Sequence, residues 1–431
     1  MDGIDKNVFS NIIEQKSALI ITHLYESSTK VYTHYSGIKG FLLGKGLIDN
    51  GYSTFILSND DGIIRHNNFD YIHHKLLTEK VLMNFDLIVV CLHNTEILTP
   101  LHVNIDIFNK ILCCKEKNKN MKVINKTCQY PIIMDNLGID SYNFFDNIFL
   151  QTETTLIPSL ILNKLNASDK LSVYELREYL KGQGIKSKID SSEMTFDVNN
   201  DKNKTVTFEP NKDTINIVYL GRLMGDNGMD IIYLIKLMKR LGKKYMLYIM
   251  PGSFTLPIDF PKKKKSAARP NQHDELKTFI EKYEIIYHEN NVSKHTHSEN
   301  YYIEEDDYNV CNISVLPQYE YGYHFEVIKK MDIGFGFSSN KNKKVPEGSS
   351  KLFDYMCSNI KIVFEDGWDN TKYIEKYNFG KCLPLNSKVS EAVVYIEEVS
   401  NMKSDDIKYD DFINDHNYIS RCNKLLKTTN S

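Results

Sequence analysis

Between residues 345 and 370 the chain reads VPEGSSKLFDYMCSNIKIVFEDGWDN, and two residues in it stand out for their chemistry, Lys351 and Asp354. Their spacing of three puts a basic and an acidic group on one helical face, since Leu352, Tyr355 and Met356 give the segment an apolar face of helical period. Ser349 or Ser350 is placed to cap the helix start, where free backbone amides and the positive dipole end favour an anion. A cation and a carboxylate at such a place suit phosphate and ribose hydroxyls respectively. The plainer alternative is a surface ion pair worth about 0.2–0.5 kcal/mol. Upstream, 214-TINIVYLGRL-223 reads as a buried strand ending in Gly221-Arg222, with Gly228 before the next helix. An arginine at the carboxyl end of a strand, beside a glycine turn and a helix start, is also placed for phosphate.

Other constellations are weaker. The stretch 35-YSGIKGFLLGKGLIDNGY-52 looks like a phosphate loop, but Gly40 is followed by only three residues before Gly44-Lys45, and Gly46 replaces the required hydroxyl. Gly334-Phe335-Gly336 follows a strand without a third glycine, so it is a poor dinucleotide fingerprint. No His-Glu-x-x-His, Gly-x-Ser-x-Gly or Asp-x-Asp occurs. His295-Thr296-His297 suits a metal by residue type but lies in a polar stretch that reads as a solvated loop. The basic run Lys262, Lys263, Lys264, Lys265 offers weak contact to an anionic membrane or nucleic acid, at about 1 kcal/mol per charge near an anionic bilayer. The acidic 303-IEEDDY-308 balances it. Aromatic residues in 317-PQYEYGYHF-325 suit stacking on a nucleotide base or, more simply, a partly buried strand and loop.

The elements that must position these groups follow a repeating grammar. Runs 18–25, 53–58, 85–93, 121–127 and 143–152 read as strands, with helices over 37–50 and 103–118 between them. Polar, aperiodic sequence from 186 to 213 reads as a connection. The grammar then restarts with strands at 214–220, 244–252, 331–339 and 360–366 and helices at 229–242 and 349–358. Strands alternating with helices predict an α/β protein of two Rossmann-like, doubly wound domains facing a central cleft. The domains are expected at 1–190 and 214–405, joined by a linker at 191–213, with a closing helical segment at 406–431. Acceptor-binding loops are expected around 59–80.

Bulk properties fit this. A chain of 431 residues exceeds one ordinary core, and 42% hydrophobic with 25% charged residues is ordinary for a globular protein. A net charge of −3 gives no global positive field for nucleic acid. The eight cysteines have neither zinc nor disulfide-framework spacing and read as reduced thiols. The start, MDGIDKNVFSNIIEQK, lacks a secretion-signal pattern and no apolar run suffices for a bilayer, so a cytoplasmic location is expected.

The order of the motifs carries more than any one of them. A glycine loop before the first helix, then Gly-Arg-Leu with a later Gly, then Ser-Lys-Leu-Phe-Asp-Tyr-Met, then Gly-Trp-Asp-Asn resembles the GT-B glycosyltransferases, nearest to their retaining, family-4-like branch. The resemblance spans most of the chain, including 415-DHNYISRCNKLL-426, which is similar to their closing helix. It implies a hexosyltransferase-like enzyme that takes a sugar from a nucleotide-diphosphate donor, UDP or GDP, with no obligatory cofactor or metal. The acceptor it implies is a glycan, lipid or protein. By resemblance, Arg222 and Lys351 hold the diphosphate, Asp354 takes the ribose hydroxyls, and the turn Gly37-Ile38-Lys39-Gly40 approaches the donor sugar. Gly221, Ser350, Leu352 and Asn370 complete the donor side. Fixed positive groups there stabilise charge building on the leaving phosphate, and removing one costs on the order of 2–4 kcal/mol.

The pattern has departures. Asn227 stands where a basic residue is usual, and Pro346 stands eight before Asp354 where a Glu is usual, with Glu347 one residue on. Thr127-Cys128-Gln129 replaces the expected first-domain histidine, leaving His93, at the end of strand 85–93, as the nearest candidate to line the cleft. Two rival readings stay open: a GT-B protein that binds a sugar nucleotide or glycan without turnover, and a glycosyltransferase acting on DNA bases.

Overall fold

The computed structural model describes residues 16–22, 35–58, 61–66, 69–91, 105–127, 144–150, 154–156, 170–172, 188–191, 206–220, 229–250, 286–287, 312–316, 323–337 and 349–430. These fall into two compact units. The first takes the described residues up to 191 and the end of the chain from Ile413; the second takes those from 206 to Phe412.

The first unit runs β1 (Ser17–Ile21), α1 (Tyr35–Asp49), β2 (Ser53–Ser58), β3 (Ile63–His66), β4 (Phe69–His73), α2 (Glu79–Leu82), β5 (Leu87–Val90), α3 (Ile105–Lys117), β6 (Lys122–Thr127) and β7 (Asn147–Leu150). A separate antiparallel pair, β8 (Thr154–Leu156) and β9 (Lys170–Ser172), precedes β10 (Lys188–Ser191). Its main sheet has the order β10-β7-β6-β5-β1-β2-β4-β3, parallel throughout except for β3 against β4. The second unit runs β11 (Ile215–Leu220), α4 (Met229–Leu241), β12 (Tyr245–Met250), β13 (Ile286–Tyr287), β14 (Ile313–Val315), α5 (Tyr323–Ile328), β15 (Ile333–Gly336), α6 (Ser350–Cys357), β16 (Lys361–Glu365), α7 (Lys372–Lys376), β17 (Gly380–Leu383) and α8 (Val389–Ser400). Its sheet, β13-β14-β12-β11-β15-β16-β17, is parallel at every pairing. α9 (Tyr409–His416) and α10 (Tyr418–Asn430) end the chain, and α10 packs on α1 of the first unit.

Central strands are apolar runs because both faces are covered; β1, β5 and β12 are buried at every residue. One aspartate device recurs in both sheets. Asp86, Asp146 and Asp332 each stand just before a strand, and each carboxylate accepts the N–H of a neighbouring strand, from Ser17 (2.8 Å), Val123 (2.7 Å) and Asn216 (2.7 Å). These carboxylates satisfy strand starts at the amino edge, away from the edge where such sheets bind ligands.

Three differences from the sequence reading have physical causes. Residues 59–80 hold strands β3 and β4 and the start of α2, because Phe69, Tyr71 and Ile72 are buried against the sheet rather than free in a loop. Lys188–Ser191, inside the stretch read as a connection, is a strand parallel to β7; four residues, KIDS, carry too little apolar signal to announce it. The Gly37–Gly40 turn is helix, not turn, since α1 already begins at Tyr35. Its later glycines serve close packing. A side-chain carbon at Gly40 would press on Ile20 (3.2 Å), one at Gly44 would run into the Phe69 ring, and one at Gly46 would meet Cys422 of α10 at 2.6 Å.

Candidate functional site

The carboxyl edge of the second sheet has a switch point. From β11 the chain lays down β12 beside it, then the edge strand β13 and, between β13 and β12, β14, and returns to β11's other side to lay down β15, β16 and β17. Ligand crevices in open α/β sheets lie outside the carboxyl ends at such a reversal. Tyr355 of α6 is built into this one. Its hydroxyl accepts the Leu220 N–H (2.9 Å) and lies 2.9 Å from the Phe335 carbonyl and 3.2 Å from that of Val218. Burial pushes this hydroxyl well above the usual tyrosine range, so it keeps the proton it donates. The ring lies across Gly334, where a side-chain carbon would come within 2.5 Å of it, and Gly336 makes equivalent room for Phe364. The Gly-x-Gly of β15 thus seats two aromatic rings beneath the edge and has no need of a dinucleotide.

α6 is thereby fixed beside the ends of β11 and β15. Leu352, Phe353, Tyr355, Met356 and Cys357 are buried, while Ser350 is exposed and Lys351 and Asp354 are half-buried. Ser349 takes the N-cap backbone position but caps nothing with its side chain. Asn370, 4% exposed, does the holding instead: its Oδ1 accepts the Ser349 N–H and its Nδ2 donates to the Ser349 carbonyl, both at 2.9 Å. Asn370, read from sequence as a donor contact, therefore positions the helix start. The preceding loop is held by Asp366, whose Oδ1 accepts the Gly367 N–H (2.8 Å) and lies 2.9 Å from the Thr371 hydroxyl. Gly367 sits at φ +131, a conformation suited to glycine.

The two charges of α6 meet different neighbours. The Lys351 ammonium lies 5.0 Å from the centre of the Tyr219 ring, at the end of β11, within cation–π reach. Asp354 Oδ1 lies 3.8 Å from Nε2 of His324 on α5. Lys351, Tyr219, Asp354 and His324 thus gather around the start of one helix at the switch point. The chain's single tryptophan, Trp368, is half-buried in the loop that Asn370 closes.

Of the residues singled out from sequence, the structure brings together Ser350, Lys351, Leu352, Asp354 and Asn370. Leu352 is fully buried, so only its backbone is available to a ligand. Gly37 and Gly40 lie in α1 of the other unit. His93, Gly221, Arg222, Asn227, Pro346, Glu347, Lys262, Lys263, Lys264, Lys265, His295 and His297 lie outside the described residues, as does 317–322. Sequence reasoning missed His324, whose signal was hidden in an aromatic stretch, and the Tyr355 hydroxyl, which periodicity counted as apolar face.

No protein-family model and no curated protein sequence matches the chain. Solved structures do. Sucrose-phosphate synthase from Thermosynechococcus elongatus aligns with a TM-score of 0.53 over 96% of this chain and 98% of that one, at 8% identity. Trehalose-6-phosphate synthase from E. coli bound with UDP-2-fluoro glucose gives 0.53 over 96% and 99%, at 8% identity. WaaG, a glycosyltransferase involved in lipopolysaccharide biosynthesis, gives 0.50 over 96% and 99%, also at 8% identity. Among the described residues no helix is long and apolar enough to cross a membrane. With two parallel-dominated sheets and a likeness that runs along nearly the whole of each chain, the protein has the GT-B fold of the glycosyltransferases.

Proposed function

We propose that the protein is a glycosyltransferase that moves a sugar from a nucleotide-diphosphate donor, with retention and without an obligatory metal, to a glycan, lipid or protein acceptor. The observation that carries this reading is the placement of Lys351 and Asp354, one helical turn apart, at the carboxyl edge beside the β11/β15 switch. In it, Lys351 and Arg222 hold the diphosphate as negative charge builds on the leaving group, and the amides of Ser350, Lys351 and Leu352 add the positive end of α6. Asp354 takes the ribose hydroxyls. Asn370 acts through Ser349, holding that helix start in register. Gly221 lets the chain turn close to the phosphates, Gly37 in the first turn of α1 offers a backbone amide to the donor sugar, and His93 lines the acceptor side. A uridine nucleotide is the first donor to try, because one of the solved neighbours above is described with a bound UDP-sugar. Lys262–Lys265 add a weak contact to an anionic membrane surface or nucleic acid, and the site of action is the cytoplasm.

The test is a panel of UDP-, GDP-, ADP- and TDP-sugars read by thermal shift, by emission of Trp368 and by nucleotide release. One donor is expected to stabilise the protein and to be slowly hydrolysed, with both effects lost in Arg222→Ala and Lys351→Ala. Binding without any release, with or without candidate acceptors, would support the sugar-nucleotide-binding reading instead. Absence of binding to every donor would overturn both.

A further inference from the structure

Resting on the donor reading above, we propose that His324 is a positioning residue for Asp354, and that the two together make the site select a ribonucleotide over its 2′-deoxy counterpart. His324 stands in the first turn of α5, which packs on α6. Its side chain is 15% exposed and that of Asp354 27%, so the pair is partly shielded from water without being sealed from a ligand. The imidazole is held in place by the neighbouring Phe325 ring, with centroids 4.0 Å apart. Its Nε2 lies 3.8 Å from Asp354 Oδ1. That is too long for a good hydrogen bond and short enough to bias the carboxylate rotamer.

The chemistry of a vicinal diol makes this bias useful. A carboxylate accepts at both oxygens, so it serves two adjacent hydroxyls only when its plane is set. An aspartate on a half-exposed helix face is otherwise free to rotate. It is also three residues from Lys351, a spacing that invites mutual neutralisation. With one Asp354 oxygen near His324 and the Lys351 ammonium over Tyr219, the acid and the base are drawn to different partners. The acid then faces the ribose as an oriented acceptor, and a donor lacking the 2′-hydroxyl leaves part of it unpaired.

The experiment measures binding of UDP and 2′-deoxy-UDP, with the GDP and ADP pairs alongside, to wild type, His324→Ala, His324→Gln and Asp354→Asn, with a melting temperature for each. Wild type is expected to favour the ribonucleotide of its preferred base by on the order of 10–100-fold, the range for leaving one polar group unpaired. His324→Ala should weaken the ribonucleotide about 10-fold and leave the deoxynucleotide unchanged, lowering the preference by the same factor, on the same one-unpaired-group scale. His324→Gln, which keeps an N–H donor, should restore most of it. Asp354→Asn should abolish the preference. If wild type binds a nucleotide but His324→Ala keeps the full preference, or weakens both forms equally, His324 only packs and the inference is overturned. A wild type that prefers the deoxy form overturns it too. If wild type binds no nucleotide at all, the donor reading fails first, and the inference with it.

Discussion

α1 and α6 each follow a parallel strand and each carry a lysine beside small residues, Gly44-Lys45 and Ser350-Lys351, yet they are built for different work. α1 contributes a smooth face: Gly40, Gly44 and Gly46 bring the helix backbone against Ile20, Phe69 and Cys422, and Lys45 lies over the rings of Phe41 and Tyr418. Lys45 stands well past the start of α1, on the packed part of the helix. α6 has no glycine. It is pinned by Asn370 and Tyr355, and it presents Lys351 and Asp354 half-buried beside a strand switch. The difference teaches that a Gly-Lys pair in sequence says little about phosphate. Glycine is required where two backbones or a ring must come close; a phosphate site requires a cation and helix amides held at a strand's carboxyl end.

The sharpest way to break this comparison is to remove the two lysines in turn. Lys351→Ala should lower donor turnover on the order of 10²–10³-fold, the usual cost of one group aimed at developing charge. Lys45→Ala should leave turnover within about twofold, since its ring contacts are worth about 0.5–1 kcal/mol of stability and none of transition-state binding. Steady-state kinetics with the donor found in the panel decides it. Equal losses would mean that α1 also faces the leaving group.

A second pair tests packing against exposure. Gly46→Leu forces a side chain into Cys422 and the Tyr418 carbonyl, and should cost about 1–3 kcal/mol as overpacking does. Ser350→Ala, at the exposed first residue of α6, should stay within about 0.5 kcal/mol. Chemical denaturation measures both. Because burial holds the Cys422 thiol up at about 12, its alkylation at neutral pH should be negligible in the wild type and should appear in Gly46→Leu if α10 is pushed off α1. A Gly46→Leu protein as stable and as unreactive as the wild type would show that the α1–α10 contact accommodates the added side chain without parting.

The fold was legible wherever burial wrote continuous apolar runs: β1, β2, β5, β11, β12 and β16 are read directly from ALII, TFIL, LIVV, INIVYL, YMLYIM and KIVFE. It was illegible where a short strand lacked a continuous apolar run, as in β10 (KIDS) and β14 (ISV), because such a strand borrows its stability from neighbours already in the sheet. The site divided along another line. Lys351 and Asp354 were visible because helical spacing converts sequence distance into space. His324 was not, being thirty residues from Asp354 and joined to it only by the packing of α5 on α6. Asn370 was visible as a residue but not in its role. Its side chain acts on the backbone of Ser349, and no pattern of residue types records a bond to main chain.

A single-atom change is the most diagnostic of how α6 is held. Tyr355→Phe removes one oxygen from a fully buried ring and alters no shape, so the cavity is negligible. What it removes is the partner of the Leu220 N–H and of the Phe335 carbonyl, at the point where β11 and β15 part company toward the switch. An orphaned buried donor costs about 1–3 kcal/mol, with relaxation toward a neighbouring strand recovering some of it. The loss of stability should therefore lie at the lower end, near 1 kcal/mol. If the hydroxyl only ties strands together, kcat and KM stay as they were. If it sets where the end of β11, and with it Tyr219 under Lys351, meets the diphosphate, KM for the donor rises a few-fold while kcat holds. Gly334→Ala, which presses on the same ring from below without touching the hydroxyl, separates the two: it should match or exceed the stability loss, and a KM change seen in Tyr355→Phe alone assigns the effect to the hydroxyl.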